Sequence, residues 1–485
     1  MRVVLLILAL AGAALAQPGA APSCSDQMLQ SIGFGVAGSA YQMEGAADKD
    51  GRSQSVWDKY VQDKPSEIRD GSTAKVACDH YGKFREDVAL MKRLGVKNYR
   101  FSISWSRLIP SGRKGGAVNQ KGADFYNALI NELKKNGIAA SATLYHWDLP
   151  QANQDAYKGF MSRQLVDDFV YYAETAYRLF GDRVKNWATF NEPWVICTNQ
   201  YGNGAFAPGI NEGDAGKWKC GENLLLAHAY AVKAYRDKFK KQQGGKIGMA
   251  LWSEWSEPYS EDFKDKRAAQ NKMDVDFGWF ADAINFGDYP ALVKKQYGNY
   301  LTPFTDYEKS LLKKSYDYLG LTLYTAKYAR DNGNPDGWWV LTEGKDGKQI
   351  GEQAESYWLY NVPWSINRMT TYMSKRYGYP EIQVLENGIS EKGEAGRSGA
   401  AALVDPLRTK YFRGYIDEVC KAKSAGAKIT HYYAWSFLDN WEWKEGFSTK
   451  FGIVHVDFKN PALPRTPKQS AKWLQKWVFT KSNKQ

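Results

Sequence analysis

From about residue 30 to residue 478 the chain alternates short apolar runs with amphipathic stretches of helical period. The apolar runs predict strands at Phe34–Ala40, Asn98–Ser104, Ala139–His146, Asn186–Asn191, Lys246–Trp252, Leu319–Tyr324, Ile382–Glu386 and Thr430–Phe437. Between them the period lengthens. In Asp124–Asn136, Phe125, Leu129 and Leu133 recur at i+4 and predict one buried stripe on a helix. Gly95, Gly137, Gly181, Gly378 and Gly426 each stand where a helix should stop, shortly before the next strand. Glycine tolerates the left-handed conformation that ends helices, so the recurrence marks repeated helix-to-strand joints. Strand–helix units repeated without a linker or charge block predict a parallel sheet closed into a single (β/α)8 TIM barrel, an α/β fold. The elongated segments at 195–220, 325–356 and 387–404 follow the fourth, sixth and seventh strands, and so fall on the rim where binding loops belong.

The ends of the chain read differently from its body. Arg2, the apolar run Val3–Leu10 and the small residues Ala14-Leu15-Ala16 before Gln17 form the pattern of a secretory signal peptide, too short to span a bilayer. The expected organisation is a leader at 1–16, an N-terminal extension at 17–29, the barrel at 30–478 and a tail at 479–485. The expected product is secreted, without membrane insertion. A chain of 485 residues suggests about three domains by length, but one elaborated barrel also reaches this size.

Charge and cysteines change the picture little. The net charge of +12 is spread along helical segments such as Lys238–Lys241 and Lys468–Lys481, which read as solvated faces. No aromatic–basic module points to nucleic acid. Cys24, Cys78, Cys197, Cys220 and Cys420 are too few and too dispersed for a disulfide scaffold. One bridge fits the oxidising export route, with Cys197–Cys220 the preferred pair, and the odd count leaves a thiol over. There is no N-x-S/T sequon, so no N-glycan is expected.

Several chemistries fall away. Gly33-Phe34-Gly35-Val36-Ala37-Gly38 fits G-x-G-x-x-G, but its glycines lie inside the first strand, and Tyr41-Gln42-Met43-Glu44-Gly45 does not read as a helix start. His80, His146, His228, His431 and His455 lack metal-ligand spacing, and no G-x-S-x-G elbow offers a nucleophilic serine. Neither metal nor cofactor is expected.

Two strand ends carry the strongest signal. Trp187-Ala188-Thr189-Phe190-Asn191-Glu192-Pro193 closes the fourth strand, and Ile382-Gln383-Val384-Leu385-Glu386-Asn387-Gly388 closes the seventh. An acid at the C-terminal end of a barrel strand points into the mouth where catalytic groups gather. Either acid alone also reads as a polar strand terminus. Two facing one another across one mouth suit the paired carboxylates of glycoside hydrolysis.

Thr189-Phe190-Asn191-Glu192-Pro193, Leu385-Glu386-Asn387-Gly388, Gln42-Met43-Glu44-Gly45, His146-Trp147-Asp148-Leu149-Pro150-Gln151 and Trp435 to Trp443 resemble the family-one glycoside hydrolases, in order over nearly the whole chain. That family includes β-glucosidases, lactase-like enzymes, myrosinases and 6-phospho-β-glycosidases. The resemblance implies Glu192 as general acid/base and Glu386 as nucleophile. It implies Gln42, His146, Asn191, Glu442 and Trp443 as ligands of the non-reducing sugar, Trp435 as its floor, and Arg100 and Tyr324 as neighbours of the nucleophile. Trp358 is similar to the tryptophan that stacks on the leaving group, and also reads as an ordinary core residue. Glu192 is intact, unlike the glutamine of plant myrosinases, and Glu442 is present, unlike in the 6-phospho enzymes, so neutral O-glucosides or β-oligosaccharides are the expected substrates.

Two departures stand out. Thr322 replaces the family's usual asparagine, which weakens a supporting contact near Glu386, and Ile210 replaces a cysteine common in plant members. The expected activity is that of a retaining β-glucosidase. Transglucosylation on the same scaffold stays open, as does an inactive sugar-binding barrel, although the latter predicts loss of one glutamate. The aglycone and the oligomeric state have no signal in the sequence.

Overall fold

The computed structural model describes residues 19–482, so the expected leader at 1–16 lies outside the described residues. The barrel strands are β1 (Gly33–Ala37), β2 (Asn98–Ser102), β3 (Ala139–Tyr145), β4 (Asn186–Asn191), β5 (Lys246–Pro258), β6 (Tyr318–Arg330), β7 (Glu381–Asn387) and β8 (Lys428–Trp435). Each pairs in parallel with the next, and β8 returns to β1 with Gly33 opposite His431 and Ala37 opposite Trp435, which closes the TIM barrel.

Helices pack outside: α1 (His80–Arg93), α2 (Gln120–Lys135), α3 (Gln164–Phe180), α4 (Gly213–Lys238), α5 (Phe263–Met273), α6 (Trp364–Tyr377), α7 (Pro406–Ser424) and α8 (Gln469–Leu474). The predicted stripe on α2 is buried at Phe125, Leu129 and Leu133. Each such side chain contributes about 1.5–3 kcal/mol by leaving water. No described helix is long and apolar enough to cross a membrane.

The strands differ from the apolar runs mainly at their outer ends. β1 stops at Ala37 because Ala40–Met43 forms a four-residue helix, contrary to the sequence expectation for that stretch. β5 and β6 run on to Pro258 and Arg330, pairing Trp255 with Ala326 and Pro258 with Ala329 beyond a bulge. Polar residues such as Glu254 and Lys327 interrupt those extensions, so apolar runs alone understate their length. A further strand, Trp339–Leu341, adds antiparallel to the end of β6.

The glycines of the G-x-G-x-x-G string serve packing. A Cβ on Gly35 would lie 2.3 Å from the Asn98 carbonyl oxygen, and one on Gly38 would lie 2.0 Å from the Met43 sulfur. Four of the predicted helix-ending glycines, Gly95, Gly137, Gly378 and Gly426, have positive φ. Gly181 does not: its φ is −69°, although α3 still ends directly before it at Phe180.

The basic segments divide. Lys238 and Lys241 are exposed, as solvated faces require. Lys468 is fully buried instead, bound to Glu394 and, at 2.6 Å, to Asp439. A buried ammonium persists where carboxylates satisfy it, and Arg408 adds a second cation 2.6 Å from Glu394 and 2.7 Å from Asp405.

Two disulfides form where one was expected. Cys197–Cys220 is the preferred pair, and Cys24–Cys420 ties the segment before β1 to α7. Cys78 is the leftover thiol among the described residues, buried with its sulfur donating to the Asp439 carbonyl oxygen at 3.0 Å. The Cys197–Cys220 bridge closes a separation of 23 residues, whereas Cys24–Cys420 spans 396 and had no local signal.

Candidate active site

Alternation along β2 sends Tyr99 and Phe101 towards the aromatic layer under α2 and leaves Arg100 in the barrel interior. Its guanidinium is buried and fully engaged. Nη1 donates to Glu386 Oε1 at 2.7 Å and to the Leu385 carbonyl oxygen at 3.2 Å. Nη2 donates to Asn191 Oδ1 at 2.6 Å, and Nε to Thr143 Oγ1 at 3.0 Å. The Tyr324 hydroxyl, from β6, donates to Glu386 Oε2 at 2.7 Å. Burial, then the charge of Glu386, pushes the Tyr324 phenol well above its ordinary range, so it stays a donor. Glu386 therefore receives a hydrogen bond on each oxygen.

Glu192 has a different setting. It follows β4 with φ 52° and ψ 65°, a left-handed conformation unusual outside glycine, and Pro193 opens a short helix directly after it. Its amide donates to the Ala250 carbonyl oxygen on β5 at 2.8 Å, which fixes the turn. Burial first, and then the Glu386 charge, hold its carboxyl well above the usual carboxylate range, while contact with the Thr322 hydroxyl pulls the other way. Thr322 pairs in register with Glu386, and its hydroxyl donates to the Leu251 carbonyl oxygen at 3.3 Å.

The inner end of the cavity is polar and aromatic together. Asn191 Nδ2 lies 3.2 Å from His146 Nε2, and burial pushes that imidazole well below its ordinary pKa, so it is neutral there and Nε2 accepts. The His146 ring stacks on Trp435 at 5.6 Å and on Trp443 at 6.0 Å. Glu442 is pushed up to about 8 by burial and by the Glu386 charge. Gln42 lies behind Glu442 and is not part of the cavity wall. Its amide nitrogen donates to Glu442 Oε2 and Asn440 Oδ1, both at 3.1 Å, and its oxygen accepts from Ser39 at 2.7 Å.

One cavity of about 530 Å³ holds Glu192, Glu386, His146, Asn191, Tyr324, Trp358, Trp435, Glu442 and Trp443 on its wall. Trp358 meets Tyr324 edge-on at 5.8 Å, and its carbonyl oxygen accepts from Lys327 at 2.6 Å. The predicted residues thus converge, with Arg100 and Gln42 one layer behind. The outer wall contains groups that the sequence did not single out: the stacked pair Trp194 and Trp252 at 4.2 Å, the trio Glu254, Lys272 and Asp276, and the aromatic lip at Trp338 and Tyr357. Trp252 and Glu254, two apart on β5, carry a period-two signal; α5 and the Trp338 segment carry none. Among the described residues no three His, Cys, Asp or Glu side chains cluster to hold a metal.

The comparisons with known proteins agree with this geometry. The model of "Glycosyl hydrolase family 1" matches residues 25–483. The chain is 44% identical to "Beta-glucosidase 42" of Arabidopsis thaliana, covering 92% of each chain. It superposes on a GH1 β-glucosidase from the fungus Humicola insolens, solved in complex with glucose, with TM-score 0.90 and 40% identity over 95% of this chain and 99% of the other. A rice β-glucosidase variant in a covalent complex with glucose gives TM-score 0.89 and 40% identity over 92% of this chain and 98% of that one. The chain belongs to glycosyl hydrolase family 1, and its substrates are glycosides.

Proposed function

We propose that the protein is a retaining β-glucosidase that hydrolyses terminal non-reducing β-D-glucosyl residues of small O-glucosides or β-oligosaccharides, with Glu386 as nucleophile and Glu192 as acid/base. The carrying observation is the unequal treatment of two carboxyls in one cavity. Arg100 and Tyr324 hold Glu386 by hydrogen bonds to both oxygens. Glu192, buried and facing the Glu386 charge, keeps its proton. A carboxyl raised beside one held by a donor on each oxygen separates the acid from the nucleophile.

The steps follow. Glu386 attacks the anomeric carbon as the glycosidic bond breaks, and Glu192 gives its proton to the departing oxygen. A glucosyl ester on Glu386 and a free alcohol result. Esterification removes the Glu386 charge that raised Glu192, so Glu192, now anionic, takes a proton from water. That water attacks the anomeric carbon, the ester bond breaks, and β-glucose leaves with both carboxyls restored.

His146, Asn191 and Glu442 face the glucose hydroxyls, Trp435 and Trp443 supply apolar surface for the ring, and Trp358 flanks the leaving group. An inactive sugar-binding barrel is not favoured, because both carboxyls and their partners are in place. Secretion is part of the same proposal: the leader pattern at 1–16 and two disulfides support an oxidising export route. Following the anomeric proton by NMR during hydrolysis of an aryl β-glucoside tests the chemistry. β-Glucose should appear first; α-glucose first would reject it.

A further inference from the structure

Trp435, Glu442 and Trp443 reach the cavity from one segment, the loop that leaves β8. Among the described residues no cation pairs with Glu442, and its one side-chain hydrogen bond comes from Gln42 Nε2 at 3.1 Å. The same amide donates to Asn440 Oδ1 at 3.1 Å, so the position of Asn440 sets the donor that holds Glu442. Asn440 follows Asp439, and there the restraint becomes strong.

Asp439 is fully buried. Its amide donates to the Val454 carbonyl oxygen at 2.9 Å, and its own carbonyl oxygen accepts from the Cys78 thiol at 3.0 Å. Its carboxylate accepts from Lys468 Nζ at 2.6 Å and lies 3.2 Å from His455 Nδ1. Burial alone would raise this carboxyl, but the Lys468 charge and then the His455 contact hold it well below the usual carboxylate range.

Lys468, directly before α8, is also bound to Glu394, in the rim segment that follows β7. Glu394 accepts from Arg408 Nη2 at 2.6 Å, and Arg408 Nε donates to the carbonyl oxygen of Ile389, just past Glu386, at 2.9 Å. Buried charges therefore run unbroken from the end of the nucleophile strand to the residue before Asn440. Lys468 is the member that binds both sides. Its ammonium, a compact charge with three donors, suits a bridge between two carboxylates. Well-packed apolar residues often serve stability as well as a buried ion cluster does, so stability alone does not call for this one.

We propose that Lys468 is a positioning residue for glucose binding: by tying Asp439 to Glu394 it fixes the segment that carries Glu442 against the segment that continues from Glu386. The effect passes through Asp439, Asn440 and Gln42, and Lys468 touches neither substrate nor the reacting atoms. This inference rests on the β-glucosidase reading.

The test measures kcat and KM for p-nitrophenyl β-glucoside in the full chain, as wild type, Lys468→Met, Glu442→Ala and the double variant. Covalent labelling with a 2-deoxy-2-fluoroglucosyl fluoride counts the competent chains in each. Because small misplacements of binding groups cost up to about 10²-fold, KM should rise about tenfold or more in Lys468→Met, with kcat within about threefold and labelling still about one per chain. Residues that act through one another are not additive, so in the Glu442→Ala background the same change should add no more than about twofold. If Lys468→Met fails to fold, Asp439→Asn, which cuts the link from the other end and leaves Lys468 with Glu394, decides by the same readings. An unchanged KM, a lower kcat that follows fewer labelled chains, or an equal rise in KM without Glu442 would overturn this inference and leave the β-glucosidase reading intact. A folded wild type that does not cleave the glucoside would overturn that reading as well.

Discussion

Arg100 and Glu386 form the joint on which the site turns: Nη1 lies 2.7 Å from the carboxylate, while Nη2 of the same guanidinium lies 2.6 Å from Asn191, the residue before Glu192. One side chain from β2 thus sets the end of β7 against the end of β4. Replacing it by methionine leaves Glu386 buried beside a single donor, Tyr324. Breaking a buried pair from one side costs about 3–5 kcal/mol, so Arg100→Met should lower Tm clearly in calorimetry. Its kcat should fall by about 10²-fold or more, as expected when a preorganised charge partner is lost. A variant with wild-type Tm and kcat would show that the joint is idle.

The acid role of Glu192 has a leaving-group signature. Glu192→Gln should reduce kcat/KM for alkyl glucosides by about 10²–10⁴ but affect activated aryl glucosides far less, since general-acid help matters least there. The wild-type pH profile follows from the raised pKa. The proton needed for departure is lost as pH rises through that elevated pKa, so activity should fall on the alkaline side. Glu192→Gln cannot lose that proton, and its alkaline limb should vanish for aryl substrates. An unchanged limb would assign the acid elsewhere.

Glu442 links pH to stability in a defined direction. Its carboxyl is raised from 4.5 to about 8 on folding, so the folded state binds the proton more tightly than the unfolded chain. That contribution is complete below about pH 4.5 and is lost as pH rises towards about 8. Glu442→Gln should therefore gain Tm relative to wild type as pH is raised across this window; a constant difference would contradict it. Ionisation should also sharpen rejection of charged sugars. The ratio of kcat/KM for an aryl glucoside to that for its 6-phosphate should exceed one and increase between about pH 7 and pH 9.

Much of this was legible in the sequence, for physical reasons. A buried parallel strand is an apolar run, and both carboxyls sit at the ends of such runs, so one signal marked the barrel and the proposed catalytic pair together. The inner sugar contacts came from resemblance and converge on one cavity. What stayed hidden depends on tertiary partners. Lys468 looks like any lysine in a basic segment until Glu394 and Asp439 arrive from distant loops to neutralise it. Gly181 does end its helix, after Phe180, but with φ −69° and not the left-handed conformation that a glycine there suggests. The outer wall is built from α5 and the Trp338 segment, whose patterns are those of ordinary solvated structure, and only Trp252 and Glu254 follow a strand period.

The cysteines make a prediction that joins export to fold. Thiol titration of the native protein should find no reactive group, because Cys78 is buried and burial pushes its thiol well above the ordinary range. After denaturation without reductant one thiol should appear. Material recovered from the medium should begin near Gln17 and carry no N-glycan mass. An intact Met1 in cytosolic protein, or more than one thiol per chain, would contradict the export proposal.

The covalent intermediate is the centre of the account, and trapping it is the most direct test. A 2-deoxy-2-fluoroglucosyl fluoride has a good leaving group, and its fluorine destabilises the oxocarbenium-like transition state, so the ester forms and then hydrolyses slowly. Peptide mapping by mass spectrometry should place the fluoroglucosyl group on Glu386 in the Ile382–Asn387 segment, with inactivation in step with labelling. A label on Glu192, or inactivation without any covalent adduct, would contradict the assignment.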